Sequence, residues 1–278
     1  MKIWLDGAIV ELDDARISPV DRGLTVGDGV FETVRVYNGE PFALRRHIQR
    51  LHRSASELGL ATESEATLRD AAEAVLSANN LGDARLRITA TGGEGLPGSS
   101  RGDARSRTFL IATPFTPSTG MASVVVAPWT RNERSATAGL KTISYAANVR
   151  ALAWAEARGA SEALFANTVG NLCEATGSNV FLVLDGQLCT PPPTAGCLLG
   201  VTRSLILELA SELSMNHAEV DVPMTRLADV SEMFLSSTTR EVQTIANLDG
   251  TTIAHAPGPC AIRLADAYRE LIARSKDP

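Results

Sequence analysis

Lysine is scarce in this chain of 278 residues: Lys2, Lys141 and Lys276 are the only three among 26 basic side chains, and the rest are arginine. A bias toward Arg and Ala accounts for the scarcity. It leaves Lys141 as the single lysine away from the ends, where an amine that can lose its proton does chemistry that a guanidinium cannot. A basic excess is also missing. The formal net charge is −6, and no basic stripe or Lys-rich tail is present, which excludes the electrostatic footprint of a nucleic-acid binder. No apolar run approaches the ~20 residues of a membrane helix. The opening stretch MKIWLDGAIVELDD has acids where a signal peptide would carry its hydrophobic region, so a cytoplasmic location is expected. Four cysteines (Cys173, Cys189, Cys197, Cys260) and four histidines lie scattered, without C-x-x-C or any metal-ligand spacing. Reduced, mostly buried thiols and no metal are the expectation. No Walker A loop is present, which removes the P-loop nucleotide folds.

What is present is a globular composition, 44% hydrophobic and 21% charged, with strands and helices in mixed order. Asp6-Gly7 and Asn38-Gly39 read as hairpin turns. RRHIQRLHRSASELGL spaces Ile48, Leu51, Ala55 and Leu58 at helical intervals, with Gly59 as a stop. A second helix over TLRDAAEAVLSANNLG and strands at ARLRITATGG and TFLIATPF follow. TPSTG (116–120) reads as a linker. The expected organisation is α+β over residues 1–115, the linker, and a larger α/β domain over 121–278. Within the latter, SYAANVRALAWAEARG, TRSLILELASEL and AIRLADAYRELIARS read as helices. EALFANTVGNLCEATGSNVFLVLDGQLCTP reads as three short strands.

Five features could carry chemistry. Lys141 stands at an element edge before a helix, where a desolvated lysine becomes a nucleophile or base. Glu174 lies in an apolar strand and needs a partner; an arginine or a protonated ring nitrogen would serve. LLGVTRSLILEL puts Gly200, Val201 and Thr202 at a helix start, where free N–H groups and the dipole suit a phosphate. SSTTRE (236–241) clusters hydroxyls at a strand end, including Ser237, Thr238 and Thr239, although Thr238 and Glu241 also have capping-box spacing. Arg50, on the first long helix, either adds a fixed positive charge to such a seat or lies on a solvated helix face.

Together DRGLTVGDGVFETVRVYNGE, HIQRL, LKTISYAANVRALAWAEARGASEALF, GNLCEATGSNVFLV, LLGVTR and EMFLSSTTREVQTI resemble the class IV (fold type IV) pyridoxal-phosphate enzymes. That family includes D-amino-acid and branched-chain aminotransferases, R-selective amine transaminases and aminodeoxychorismate lyases. The resemblance implies two domains joined by a short loop, the second a pseudo-barrel, and a homodimer. It implies pyridoxal 5′-phosphate as cofactor, with Lys141 as the covalent attachment and Glu174 opposite the pyridine nitrogen. Arg50, Gly200, Val201, Thr202, Ser237 and Thr238 fall at or beside the phosphate positions.

The substrate is less legible. Branched-chain enzymes typically carry a Tyr-x-Arg-Pro strand; here it reads Arg85-Leu86-Arg87-Ile88. GDGVFETVRVYNGE is closer to the D-amino-acid aminotransferases, but their T-R-G arginine is replaced by Ala90-Thr91-Gly92-Gly93. Arg35, Arg87 and Arg240 are candidates for the missing carboxylate trap. Phe31, Thr33, Tyr145 and Thr239 are expected to line the pocket. The expectation is transamination between a small amino acid, D favoured and R-amines next, and a 2-keto acid. Aminodeoxychorismate lyase and branched-chain L-amino-acid aminotransferase are the alternatives.

Overall fold

The computed structural model describes residues 1–278 apart from Pro97 and Ser118, so part of the expected linker lies outside the described residues. The chain forms two compact units: Met1–Thr116 with Leu140–Tyr145 and Ser275–Pro278, and Pro117–Gly139 with Ala146–Arg274.

The first unit is built on β1 (Lys2–Leu5), β2 (Ala8–Glu11), β3 (Gly29–Tyr37), β4 (Glu40–Pro41), β5 (Ala84–Thr91) and β6 (Arg107–Pro114), with helices α1 (Arg22–Val26), α2 (Leu44–Glu57) and α3 (Glu65–Ala78). The strands form an antiparallel sheet in the order β2-β1-β6-β5-β3-β4. The β3–β4 turn is closed by Asn38 and Gly39, both at positive φ, as the Asn-Gly signal predicts. Alternation sorts the side chains of β3 and β5. Val30, Val34, Leu86 and Ile88 pack under α2 and α3 with Ile48, Leu51, Leu68 and Val75. Phe31, Thr33 and Arg35, paired with Thr89, Arg87 and Arg85, share the other face.

Two segments expected in the second domain belong here. Residues 141–143 pair with the end of β3: Phe31 N donates to Lys141 O (3.0 Å) and Ile143 N to Gly29 O (2.9 Å). Residues 276–278 close the start of α2. Ala43 N donates to Lys276 O (2.7 Å). Arg45 N donates to Asp277 Oδ1 (2.9 Å) and Arg46 Nε to Pro278 O (2.8 Å).

The second unit contains β7 (Ala122–Val126), α4 (Ala146–Glu156), β8 (Glu162–Ala166), β9 (Leu172–Ala175), β10 (Asn179–Leu184), β11 (Gln187–Thr190), α5 (Val201–Glu212), β12 (His217–Glu219), β13 (Glu232–Ser237), β14 (Glu241–Leu248), β15 (Thr251–Thr252) and α6 (Pro259–Arg274). Its sheet runs β12-β11-β10-β13-β14-β7-β8-β9, with β15 on β14. β7 is parallel to both β14 and β8, so this sheet is mixed. The stretch read as three strands holds four, β8 to β11, because the Thr176–Ser178 corner separates β9 from β10. Ala151 and Ala155 of α4 bury against Ala163 and Phe165 of β8, while α5 and α6 pack on each other and on β13. The capping-box reading of Thr238 and Glu241 fails: residues 238–240 form the hairpin turn from β13 to β14, and no helix starts there. Cys173, Cys189 and Cys197 are buried, and burial pushes the Cys197 thiol up to about 12. No helix among the described residues is long and apolar enough to cross a membrane.

Candidate active site

The open face of the first unit's sheet gathers cations around one ring. Phe31, buried on β3, has Arg87 Cζ 3.7 Å and Lys141 Nζ 4.3 Å from its centroid. The two groups are thus no farther apart than the sum of those distances. Tyr145 packs edge-on against Phe31, with centroids 5.1 Å apart, and Thr33 pairs with Arg87 across the strands. The structure therefore brings together Phe31, Thr33, Arg87, Lys141 and Tyr145. Lys141 is half-buried, and its backbone N–H donates to Ser54 Oγ of α2 at 3.2 Å. Arg87 donates to Thr89 Oγ1 (3.3 Å) and has no acidic partner among the described residues. Burial lowers its pKa, with Arg85 adding to the effect and Tyr145 opposing it.

Beneath this face lies a charged cluster that the sequence reading missed. Arg50 is buried, not on a solvated helix face. Its Nε donates to Glu32 Oε1 and its Nη2 to Glu32 Oε2, both at 2.7 Å. His47 Nδ1 donates to Glu32 Oε2, also at 2.7 Å. Burial alone would raise Glu32, but the Arg50 charge, with hydrogen bonds from Arg50 and His47, holds it well below the usual carboxylate range. Burial lowers His47, against the pull of Glu32, and the charges of Arg50 and Lys141 push the same way as burial. The signal available in the sequence was a polar stripe, His47, Arg50 and Ser54, at helical spacing beside the apolar one. All three residues are buried.

Two of the three arginines proposed as carboxylate traps are already engaged. Arg35 donates to Val36 O (2.6 Å), Ala84 O (3.2 Å) and Asp83 Oδ1 (2.9 Å). Its guanidinium also lies between two rings, 4.5 Å from the Tyr37 centroid and 4.7 Å from that of Phe115. Arg240 pairs with Glu162 at 3.3 Å. Arg87 alone keeps its guanidinium free of an acid among the described residues.

In the second unit Glu174 stands on β9 opposite Phe165 of β8. Its Oε2 accepts from Leu198 N at 2.9 Å, and Arg131 Nε lies 3.3 Å from Oε1. Arg131 is itself fixed: Nη1 donates to Asn148 Oδ1 (3.1 Å), and Cζ sits 4.3 Å from the Phe165 centroid. The carboxylate is thereby oriented, as a partner for a protonated ring nitrogen must be. Gly200 is the N-cap of α5, with Val201 and Thr202 opening the helix, and no side chain caps its first turn. A Cβ at Gly200 would lie 2.1 Å from Asn179 Oδ1, so any other residue would have to displace the Asn179 amide. Uncapped N–H groups at the positive end of the dipole are a donor set for a phosphate. Thr202 is buried and hydrogen-bonded to Tyr268 of α6. On the β13–β14 turn, Ser237 Oγ accepts from Arg240 N at 3.2 Å, with Thr238 and Thr239 half-buried between them. By their chemistry, an amine, a carboxylate and an uncapped helix start are the groups that a phosphorylated pyridine aldehyde needs.

The model of the family described as amino-transferase class IV matches residues 29–248. The chain belongs to the class IV aminotransferases. It is thus a pyridoxal-phosphate-dependent enzyme of the family that the sequence motifs resemble. The aminotransferase is 32% identical over 279 residues to a putative branched-chain-amino-acid aminotransferase of Methanocaldococcus jannaschii, covering 98% of this chain and 96% of the relative. It is 31% identical to a D-alanine aminotransferase of Bacillus licheniformis, covering 98% and 97%. Its fold matches the branched-chain aminotransferase of Thermoproteus uzoniensis solved with norvaline, at TM-score 0.92 and 29% identity, covering 98% of this chain and 94% of that one. It also matches a T.th. branched-chain amino acid aminotransferase solved with pyridoxamine 5′-phosphate, at TM-score 0.91 and 26% identity, covering 98% and 93%.

Proposed function

We propose that this aminotransferase moves the amino group of a small α-amino acid, of the D series, to a 2-keto acid, and that Arg87 receives the substrate carboxylate. The observation that carries the reading is the pair of cations on the Phe31 ring. A half-buried guanidinium without an acid is costly, and a bidentate carboxylate relieves the cost. The D series is supported by the D-alanine aminotransferase relative and by the strand Arg85-Leu86-Arg87-Ile88, which lacks the branched-chain pattern. The same family resemblance supports a homodimer, to be checked by sedimentation.

Pyridoxal 5′-phosphate, when bound, supplies the electron sink for the electrons released as the substrate's α-C–H bond breaks. Lys141 would hold it covalently, and Lys141 Nζ, once displaced by the substrate amine, would carry the α-proton. Glu174 would keep the proton on the ring nitrogen, with Arg131 and Leu198 N orienting the carboxylate. Val201 and Thr202 N–H groups, Ser237, Thr238 and Arg50 would hold the phosphate. Arg50 would arrive there already paired with Glu32.

The test is a panel of half-reactions on the holoenzyme: D-alanine, D-glutamate, L-leucine, R-phenylethylamine and aminodeoxychorismate, read from the visible absorption band. D-alanine and D-glutamate should shift it. Conversion by L-leucine alone would sink the D-series reading, and pyruvate release from aminodeoxychorismate alone would replace transamination with the lyase reaction. Arg87→Gln should raise KM for the carboxylate substrates by roughly 10–100-fold, the worth of a hydrogen-bonded charge, and spare R-phenylethylamine.

A further inference from the structure

The second unit contains a buried carboxylate that the proposed chemistry does not use. Glu162, at the start of β8, is 2% exposed. Oε2 accepts from Ser178 Oγ at 3.4 Å and lies 3.3 Å from Arg240 Nη2. The backbone N–H groups of Thr176 and Gly177 near the carboxylate pull its pKa down. Oε1 has no hydrogen-bond partner among the described residues. Burial raises its pKa above the ordinary value, and Arg240 opposes that. An apolar side chain would occupy this place at lower cost, so the charge calls for a reason.

The reason is visible in what Arg240 does. It ends the Ser237–Arg240 turn, and its backbone N–H closes that turn on Ser237 Oγ. Its side chain crosses the end of β7 to reach β8, donating to Ser161 O at 3.1 Å and to Gln243 Oε1. Gln243 in turn donates to Gly120 O, just before β7, at 3.1 Å. A hydroxyl-bearing hairpin is thus guyed to a strand two places away in the sheet. Glu162 is the fixed post, itself held by the Thr176–Ser178 corner that follows Glu174.

We propose that Glu162 is a positioning residue for cofactor binding: through Arg240 it fixes the Ser237–Thr239 turn against the cofactor's phosphate. This rests on the reading of that turn as a phosphate holder.

The experiment uses the full chain freed of cofactor. It compares the affinities of pyridoxamine 5′-phosphate and unphosphorylated pyridoxamine, whose ratio isolates the phosphate. Thermal unfolding establishes that each variant is folded. Glu162→Ala should lower the ratio about tenfold, the worth of a lost charge-assisted contact, and the isosteric Glu162→Gln should restore part of it. Arg240→Ala should lower it as much, and the double variant no further, because both act through one contact. The Thr238→Val variant tests the underlying reading. If it leaves the ratio unchanged, the turn is no phosphate holder and both readings fall. If Thr238→Val lowers the ratio and Glu162→Ala does not, or raises it by freeing Arg240 for the anion, the phosphate reading stands and the role of Glu162 is refuted. Equal weakening of both ligands, a purely structural effect, refutes it too.

Discussion

Replacing Glu32 by Gln is the sharpest perturbation of the first unit. The carboxylate is fully buried, and both of its oxygens take hydrogen bonds at 2.7 Å from Arg50, with a third from His47. Glutamine keeps the shape but turns one oxygen into a donor that faces other donors. Arg50, itself 5% exposed, is then left without its counter-charge. Breaking a buried ion pair from one side costs about 3–5 kcal/mol, whereas removing both partners is close to neutral. Glu32→Gln should therefore lower the unfolding midpoint of the cofactor-free protein by roughly 10 °C. Glu32→Gln/Arg50→Met should recover most of the loss. Scanning calorimetry on the single and double variants reads both values. A single variant within about 1 kcal/mol of the parent, or a double variant less stable than Glu32→Gln, would refute the argument that the buried charge, not the packing, carries the cost.

Three more outcomes follow from the geometry. His47 is held below its ordinary 6.5, so its neutral form stabilises the fold above that value, and the stability is lost as pH falls through and below it; Glu32, held below 4.5, adds a second loss further into acid. His47→Gln should flatten the first part of this slope in thermal melts taken across mildly acidic pH, and an unchanged slope would assign it to other groups. Arg131→Gln, by loosening Glu174, should cut kcat about tenfold if the contact is worth about 1.4 kcal/mol in the transition state, read in single-turnover kinetics. Asp277→Ala removes the acceptor for Arg45 N at the start of α2 and the Arg69 ion pair. It should cost about 1 kcal/mol in urea unfolding, and no shift in the midpoint would show the cap to be inert.

Local signals carried much of the fold. The Asn38-Gly39 hairpin, the α2 stripe and the uncapped start of α5 are each decided by a few neighbouring residues. The glycine-bearing helix start and the isolated Lys141 were legible because each stands out from its neighbours by residue type alone. What stayed hidden depends on distant pairing. Glu32 looked like an ordinary strand residue because alternation could not show that its face lies under a helix bearing His47 and Arg50. The roles of Arg35, Arg87 and Arg240 were indistinguishable until Asp83 and Glu162 were seen to claim two of them. Capping-box spacing misled at Thr238 because the same residue types also close a hairpin.

The two units are interleaved along the chain. Met1–Thr116 is joined, after a stretch of the second unit, by Leu140–Tyr145, and after nearly all the rest by Ser275–Pro278. During synthesis β3 therefore waits for its Lys141 segment until the first stretch of the second unit, Pro117–Gly139, has been made, and α2 waits for Asp277 until nearly all of that unit has been made. The units cannot mature one after the other like beads on a string. A fragment cut at Thr116 would have neither the amine nor the closure of the helix that carries Arg50, so the first unit is completed last although most of its sheet is made first.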